Sequence, residues 1–527
     1  MREQLKRRAS ELYNSRQFAA AKDLYLQICE QYPEDAEAWF LLGVINSVLG
    51  DTQETVRCTT RSLQLAPNNP HALNILAQAH IALQQYPEVI TSYQALLKMN
   101  PDYAVALDNI GLALQKMGRP RDAIEYHRKA LRLSPGEAGW WKNLGNAQHS
   151  ARDLDSAYTS FRQALSIKPT MAEPHFSMSA IHTERLELEQ AEQSLRQGLQ
   201  YQPDSAKSHL NLSFILLLSK QMKEGWKEYE WRLKHLGLNE RHFDSPRWDG
   251  SPLNDRSIYL FTEQGVGDSI QFIRYVPILK EMGVQVILEC HQPLKRLFTT
   301  MSAVDKLVVK GYQIPKHDCH AALMSAPYLL GTTCDSIPSD IPYLSAAAGN
   351  RLLIKALETI ANRHKVGLVW AGSPAHKNDA RRSIPFAEFK QLISSGTIEF
   401  CSLQKGERSA DLKTLDHQQR VTDLAPFLDD YADTAYTLAD LDLLITVDTS
   451  VAHLAGALGR PVWLLLPWNP DFRWMLGRND SPWYPSMQLF RQQQAGDWLG
   501  VIDRVRDTLH KKFTAADPSN RGQVTFN

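Results

Sequence analysis

The sequence has little cysteine, no excess charge of either sign and no long apolar run. Six cysteines are scattered through 527 residues, and none of them belongs to a CxxC pair or to a Cys/His cluster with zinc spacing. A structural metal site is therefore not expected, and so few cysteines fit a reducing compartment. The formal net charge is zero, so nothing in the composition suggests nucleic acid or an anionic membrane as a partner.

Signals for export and for membrane insertion are also missing. The basic stretch MREQLKRRAS has no apolar segment behind it, and the longest apolar run, PVWLLLP, is far too short to span a bilayer. Hydrophobic residues make up 43% of the chain and charged residues 22%, which is typical of a folded globular protein. We therefore expect a cytoplasmic protein of about three domains without a membrane span.

What is present is a repeat of constant length. Prolines stand at positions 33, 67, 101, 135, 169 and 203, each 34 residues after the one before. Within the unit WKNLGNAQHSARDLDSAYTSFRQALSIKP, the landmark residues are Trp141, Leu144, Gly145, Ala157, Phe161, Ala164 and Pro169. This pattern matches the tetratricopeptide signature of two helices per unit. It predicts an α-solenoid over residues 1–236, made of six repeats and a degenerate seventh unit that has no closing proline.

The predicted solenoid offers a concave face to an extended partner. Asn109, Asn143 and Asn211 occupy the sixth position of their repeats, on the helix expected to line that face. Stacked asparagines can pair with both the donor and the acceptor of a peptide backbone, which predicts a groove for a protein or glycan acceptor. The alternative is that asparagine is simply common at this position. Under either interpretation the solenoid is a binding module.

From residue 257 onward, short β runs alternate with helical segments. Strands are predicted at SIYLF, VQVILEC, VDKLVVKG, KVGLVWAG, IEFCSLQ, LDLLITVD and PVWLLLP. This alternation indicates parallel sheets in doubly wound domains, with a ligand in the cleft between them. We predict a linker at 237–256, one α/β domain at 257–347, a second at 348–513 and a disordered tail at 514–527.

The turn TEQGVGDSIQF follows the first of these strands and carries Gly265, Gly267 and Asp268. A dinucleotide fingerprint needs a third glycine where Ile270 stands, and a P-loop needs Gly-Lys-Ser/Thr, so NAD and P-loop ATP fit poorly. Asp268 should lie at a helix N-terminus on the sheet edge that faces the cleft. It is a candidate general base there, and the alternative is that it only caps the helix.

Cations follow the strand end in VWAGSPAHKNDARRSIPF. Gly372 and Ser373 end the strand, and the loop after them carries Lys377, Arg381 and Arg382. Clustered cations at a sheet edge suit a diphosphate leaving group, whose growing charge needs neutralising. The alternative is a solvated loop.

A second candidate for phosphate binding is the stretch LLITVDTSVAHLAGALGRP. Asp448, Thr449 and Ser450 form a polar turn before a helix that carries His453. Small hydroxyl residues at a helix N-terminus leave backbone N–H groups for phosphate oxygens.

An Asp-x-Asp pair, Asp440 and Asp442, stands a few residues earlier, and such pairs can ligate Mg²⁺. We expect these two acids to face solvent ahead of a strand, and no metal site is predicted.

The second half resembles the two-domain glycosyltransferases called GT-B, and most closely the heptosyltransferase-like group, glycosyltransferase family 9. The resemblance rests on GVGDSI, on RSIP and on DTSVAHLAGALGRP, with departures at Ile384 and at Thr449-Ser450. It implies an α/β pair of doubly wound Rossmann-like domains. It further implies that Asp268 is the base, that Arg382 contacts the donor phosphates, and that the DTSVAH turn binds the diphosphate. A solenoid fused to such a half is also similar in layout to O-GlcNAc transferase.

The resemblance implies an inverting, metal-independent glycosyltransferase of the hexosyl or heptosyl type. It would move a sugar from a nucleotide-diphospho-sugar to a hydroxyl of a protein or glycan held by the repeats, without a cofactor. The residues leave a second interpretation open, in which the chain is a repeat scaffold whose α/β half has lost catalysis.

Overall fold

The computed structural model describes residues 1–238, 241–360, 364–393, 398–416 and 419–514. Contacts divide the chain into two units, Met1–Asp204 and the part from Ser205 onward. The predicted order of a helical solenoid followed by α/β domains with parallel sheets is confirmed. Residues 515–527, for which disorder is predicted, lie outside the described residues.

The first unit consists of consecutive helical hairpins, one for each predicted repeat. Its helices are α1 Arg2–Asn14, α2 Phe18–Gln31, α3 Ala36–Leu49, α4 Thr52–Leu65, α5 Pro70–Ala82, α6 Tyr86–Met99, α7 Ala104–Lys116, α8 Pro120–Leu133, α9 Ala138–Ser150, α10 Leu154–Ile167, α11 Ala172–Glu184 and α12 Leu188–Tyr201. The six repeat prolines fall in the connections between one hairpin and the next, because proline cannot continue a helix.

Glycine allows the two helices of a hairpin to approach closely. A β-carbon on Gly145 would lie only 2.6 Å from the Phe161 ring, and one on Gly111 would lie 2.6 Å from the His127 ring. Phe161 and His127 are both fully buried. A large buried ring opposite a glycine thus recurs between the helices of successive repeats.

The second unit begins with a seventh hairpin. Its helices are α13 Ala206–Leu218 and α14 Met222–Tyr229, followed by the short α15 Arg232–His235. Phe214 stacks on Phe472 with 5.8 Å between ring centroids, and Trp226 lies edge-on to Phe272 at 6.1 Å. These aromatic contacts join the hairpin to the α/β part. They explain why the unit boundary precedes Ser205, whereas the sequence predicts a solenoid that runs to residue 236.

The α/β part contains two parallel sheets, with strand orders β3-β2-β1-β4 and β10-β9-β8-β5-β6-β7. Its elements are β1 Ser257–Phe261, α16 Val266–Phe272, α17 Val276–Glu281, β2 Gln285–Cys290, α18 Lys295–Phe298, β3 Lys306–Val309, β4 Cys319–Ala322, α19 Ala326–Leu329, α20 Arg351–Glu358, β5 His364–Val369, α21 Asp379–Arg382, α22 Phe386–Phe389, β6 Ile398–Ser402, β7 Val421–Asp423, α23 Tyr431–Asp440, β8 Leu443–Val447, α24 Ser450–Ala457, β9 Val462–Leu466, β10 Met487–Arg491 and α25 Trp498–Thr514.

The strand order of each sheet reverses beside strands that end at predicted site residues. The reversal lies between β1 and β4 in the smaller sheet and between β5 and β8 in the larger one. Connections that leave the carboxyl ends of such strands open a crevice for a ligand. The GVGD turn follows β1, and the two candidate phosphate segments follow β5 and β8.

Three local predictions differ from the structure. The single helix predicted over DSIQFIRYVPILKEMG is two helices, α16 and α17, with a 3₁₀ turn at Ile273–Tyr275 between them. Strands β4, β7 and β10 are not predicted from the sequence. The described part of the predicted linker is packed: Trp248 is buried, and its backbone N–H donates to His320 O of β4 at 2.8 Å. Among the described helices, none combines the length and the apolarity needed to cross a bilayer.

Candidate active site

Asp268 lies in the first turn of α16 and has both carboxylate oxygens engaged. Gly265 N–H donates to Oδ2 at 2.9 Å, and the guanidinium of Arg473 donates to Oδ1. About a fifth of the Asp268 side chain is exposed. The aspartate therefore does cap its own helix, and it also carries an ion pair to a residue of the second α/β domain.

Arg473 was not predicted as a site residue, yet it occupies the centre of this arrangement. Its Nη1 donates to Asp471 Oδ1 at 2.8 Å, and its Nε donates to Gln271 Oε1 at 2.5 Å. Burial disfavours the positive charge of the Arg473 guanidinium and by itself would lower its pKa. The negative charges of Asp471 and Asp268 outweigh this effect and raise the pKa of Arg473 above its usual value. This nearly buried guanidinium is therefore a fixed positive charge beside Asp268.

The signal for Arg473 was present in the sequence. The stretch NPDFRW begins three residues after Leu466, the last residue of β9, so Asp471 and Arg473 follow the carboxyl end of a strand in the same way as the predicted motifs. Charged residues at that sheet edge face the crevice.

Gly267 brings the two predicted motifs into contact. A β-carbon at this position would lie 3.2 Å from His453 Cδ2 and 3.3 Å from Ser450 Cα. The turn after β1 therefore rests directly on the first residues of α24. A β-carbon at position 267 would therefore require the first turn of α24 to shift by a few tenths of an ångström.

The N-terminus of α24 is held in place by hydroxyl groups. Thr446 Oγ1 and Thr449 Oγ1 are 3.2 Å apart, and Ser450 Oγ lies 2.6 Å from Tyr431 Oη. Thr449 is the N-cap residue, but its side chain does not bond to the helix backbone. Ala452 N–H donates to Thr449 O at 3.1 Å, whereas the N–H groups of Ser450 and Val451 have no acceptor within the described residues and remain open to a ligand, as at phosphate-binding helix starts.

The buried His453 lies beside Asp448, whose side chain is partly exposed. His453 Nδ1 lies 3.0 Å from Tyr484 Oη, and its Nε2 lies 3.9 Å from Asp448 Oδ1. Burial, and then the positive charge of Arg473, hold the pKa of His453 well below its usual range. His453 is therefore a neutral imidazole at physiological pH, suited to hydrogen bonding rather than to charge neutralisation.

Asp448 should make stability depend on pH. Burial, and then the nearby Asp471, raise the pKa of Asp448 from 3.8 to about 6. Its contribution to the free energy of unfolding is fully present below about pH 4 and is lost as the pH rises through 6. In Asp448→Asn, the fall in stability between these pH values should be less steep, as measured by urea unfolding at each pH. Asp507→Asn, at an exposed position of α25, should keep the wild-type slope. Equal slopes in Asp448→Asn and the wild type would contradict the expectation.

The guanidinium of Arg382 lies against the end of β5. A β-carbon on Gly372 would come within 2.5 Å of Arg382 Nη2, so only glycine permits this approach. Arg382 Nε is buried and makes no hydrogen bond within the described chain, although Asp379 Oδ1 lies 3.6 Å away. Such a donor is suited to an incoming anion.

The loop after β5 is fixed at both ends but exposed in its middle. Ser383 Oγ accepts from Gly372 N–H at 3.0 Å and donates to Asp379 Oδ1 at 2.8 Å. Ser373, Lys377 and Arg381 are exposed. Of the predicted cations, the structure therefore places Arg382 at the sheet edge, while Lys377 and Arg381 lie on the loop surface.

The Asp-x-Asp pair lies at the opposite edge of the same sheet. Asp440 Oδ2 accepts from Lys365 Nζ at 2.6 Å, and Asp442 Oδ2 accepts from the Lys365 backbone N–H at 2.8 Å. Lys365 is at the amino end of β5, whereas the candidate site is at the carboxyl end. These two acids are structural and are not part of the site.

The three asparagines predicted to line an acceptor groove do not form one exposed row. Asn143 is 9% exposed and donates to Asp108 Oδ2 at 2.9 Å. Asn109 Nδ2 donates to Tyr93 Oη at 3.1 Å, and Asn211 is exposed but belongs to the second unit. The Asn143 amide serves the helix packing, because its donor is used by a buried carboxylate.

The described residues form helical repeats followed by an α/β part with two parallel sheets, and comparison with known families agrees. The model of the tetratricopeptide repeat matches residues 6–54 and 109–172. The model of glycosyltransferase family 9 (heptosyltransferase) matches residues 355–466, which include β5, the Arg382 loop and the DTSVAH turn. The chain thus carries tetratricopeptide repeats in its N-terminal part and a glycosyltransferase family 9 domain in its C-terminal part.

Single proteins resemble parts of the chain. Protein FlbA of Caulobacter vibrioides is 27% identical over 330 residues, which are 57% of this chain and 54% of that protein. The chain therefore matches about half the length of this curated relative. The structure of MamA from Desulfovibrio magneticus covers 32% of the chain and 96% of its own length, with 21% identity and a TM-score of 0.30. The structure of YrrB, described as a TPR protein with an unusual peptide-binding site, covers 35% of the chain and 95% of its own length, with 17% identity and a TM-score of 0.32.

Proposed function

We propose that this protein transfers a sugar from a nucleotide-diphospho-sugar to a hydroxyl group of an acceptor, which is a protein or a glycan. The observation that carries the proposal is the contact of Gly267 with Ser450 and His453. This contact sets Asp268, on the first α/β domain, beside the start of α24, and Asp268 is paired with Arg473 of the second domain. An acid opposite a diphosphate-binding surface is the arrangement that glycosyl transfer requires.

In the proposed reaction, Asp268 accepts the proton of the acceptor hydroxyl as the oxygen attacks the anomeric carbon. The bond from that carbon to the diphosphate oxygen breaks in the same step, which inverts the configuration. Negative charge then grows on the diphosphate. Arg382, whose Nε makes no hydrogen bond within the described chain, and the N–H groups at the start of α24 would stabilise that charge. No metal ion is part of the proposed step.

The repeats would supply acceptor binding, since tetratricopeptide arrays are protein-binding modules. Arg473 has a separate proposed role. The N–H groups of Arg473 already donate hydrogen bonds to Asp268, Asp471 and Gln271. Arg473 therefore orients the base and does not bind the sugar nucleotide.

The test is thermal unfolding of the full chain with ADP, GDP, UDP, CDP and dTDP in turn. A nucleoside diphosphate at about a hundred times its dissociation constant should add roughly 2.7 kcal/mol of stability. Arg382→Ala should weaken binding of that nucleotide by roughly tenfold to a hundredfold, as expected for a lost charge-assisted hydrogen bond. The matched control is Arg420→Ala, an exposed arginine before β7 at the opposite edge of the sheet.

Equal nucleotide affinity in the two variants would remove Arg382 from the donor site. No stabilisation by any of the five nucleotides would favour a repeat scaffold without catalysis.

A further inference from the structure

A cavity of about 550 Å³ opens on the first unit between the fourth and fifth hairpins. Its walls come from α8 and α10, the second helices of these hairpins, and its floor comes from α9. Its lining includes Arg128, Leu131, Arg132, Trp141, Leu144 and Thr159. None of its lining residues is one of the three asparagines or a residue of the candidate active site.

The face of Trp141 is uncovered in this cavity, which sets it apart from equivalent rings in other repeats. The rings at the same repeat position as Trp141 are Trp39, His175 and His209, and each of them is covered. Arg57 lies 5.5 Å from the centre of the Trp39 ring. Tyr201 stacks on His175 with 6.1 Å between ring centroids, and Trp231 stacks on His209 with 4.0 Å. Within residues 1–238, no aromatic ring or cation covers Trp141 in this way.

A substitution between repeats explains the opening. Thr159 stands at the position of Arg57, 102 residues or three repeats further along the chain. The short threonine side chain cannot reach Trp141 as Arg57 reaches Trp39. The indole Nε1 is bonded to Pro135 O at 2.9 Å, so what remains available is the apolar ring, beside the buried Leu131 and Leu144.

The charge around this apolar floor is positive. Arg128 and Arg132 stand one turn apart on α8, both exposed, and neither has a charged or hydrogen-bonded side-chain partner within the described first unit. Asp155, on the opposite wall, is already paired with Arg185 at 2.5 Å. Two uncompensated guanidinium groups therefore flank the tryptophan.

We propose that this cavity is a docking site for an acidic peptide segment of a partner protein, with one apolar side chain seated on Trp141. Carboxylates of the segment bind Arg128 and Arg132, which suit planar bidentate recognition. An aliphatic or aromatic side chain fills the floor, and tryptophan and arginine are the residue types that dominate such contacts. This site goes beyond the proposed glycosyl transfer, and its test does not depend on catalysis.

The test uses the full chain and short fluorescein-labelled peptides, measured by fluorescence anisotropy. One peptide series carries glutamates around a central leucine, phenylalanine or tryptophan, a second replaces glutamate with lysine, and a third replaces the central residue with serine. We expect the first series to bind and the other two to bind about tenfold more weakly or not at all.

Thr159→Arg is the decisive variant because it restores the arrangement of Arg57 over Trp39. Thr159→Arg should lower the affinity for the acidic peptides by about tenfold or more, although it adds a positive charge. The matched control is Thr91→Arg at the equivalent position of the third repeat. Thr91 and Thr159 make the same local bond, to the carbonyl oxygen four residues before, at 3.0 Å in both cases. Thr91→Arg should bind the acidic peptides as the wild type does or slightly more tightly.

Three results would overturn the proposal. One is the absence of binding to the acidic series at about 1 mM peptide. Another is equal binding by Thr159→Arg and Thr91→Arg, which would show a diffuse charge effect. The third is that labelled oligothymidine binds more tightly than the peptides and is lost in Thr159→Arg, which would assign the cavity to a nucleic acid.

Discussion

Asp268→Asn is expected to lower the turnover of sugar transfer by about 10²–10⁴, the range that a positioned general base contributes. The asparagine side chain keeps the size of aspartate and can still accept from Gly265 N–H, so α16 keeps its cap. It cannot take the proton of the acceptor hydroxyl. The dissociation constant of the nucleoside diphosphate should stay within about twofold of the wild-type value, because Asp268 does not bind the donor phosphates in the proposed step.

The measurement is release of nucleoside diphosphate from the sugar nucleotide whose diphosphate stabilises the protein, with acceptor present. Asp471→Asn is the matched control, since Asp471 is the other carboxylate that binds Arg473. If Asp268 only anchored Arg473, both variants would lose activity to the same extent. Turnover by Asp268→Asn at the wild-type rate would show that Asp268 is a helix cap and no base.

Arg232→Ala should destabilise the second unit by about 3–5 kcal/mol, the usual cost of removing one partner from a buried ion pair. Arg232 is fully buried and donates to Glu230 at 2.6 Å, to Glu263 at 2.7 Å and to Ser325 Oγ at 2.9 Å. The Glu263 side chain is also fully buried. Without the guanidinium, this carboxylate is left in the protein interior with no opposite charge.

Urea unfolding of the full chain gives the change in free energy, and hydrogen exchange of the β1 amides assigns it to the second unit. Arg247→Ala is the control, because Arg247 binds the same Glu230 from the surface and is 46% exposed. It should cost about 1 kcal/mol or less. An equal decrease in the free energy of unfolding in the two variants would mean that the buried ion pair of Arg232 stabilises the protein no more than the exposed one of Arg247.

Periodicity made the fold predictable. The exact 34-residue spacing of the prolines predicts each hairpin, and alternation of apolar runs predicts β1, β5, β8 and β9. The missed strands are short: β4 is CHAA, without a β-branched residue, β7 is only VTD, and β10 is MQLFR, whose alternation is incomplete. None of the three carries enough local pattern to be distinguished from a loop.

The site was predictable where a motif ends a strand. Asp268, Arg382 and the DTSVAH turn lie at the carboxyl ends of β1, β5 and β8, as sequence order and sheet rules require. The engagement of Asp268 by Arg473 was not predictable, because the two residues are 205 positions apart and meet only through tertiary packing. The burial of Asn143 depends in the same way on Asp108, a residue of the preceding repeat.

The seventh hairpin has a consequence for how such a chain can change its length. Phe214 and Tyr229 hold Phe472, the neighbour of Arg473, so this hairpin supports the segment that reaches the proposed base. Whole 34-residue repeats can be gained or lost within Met1–Asp204 without altering that support. The last hairpin has no such freedom. The number of repeats before the seventh hairpin can therefore change during evolution, whereas the seventh hairpin must stay with the α/β part that it supports.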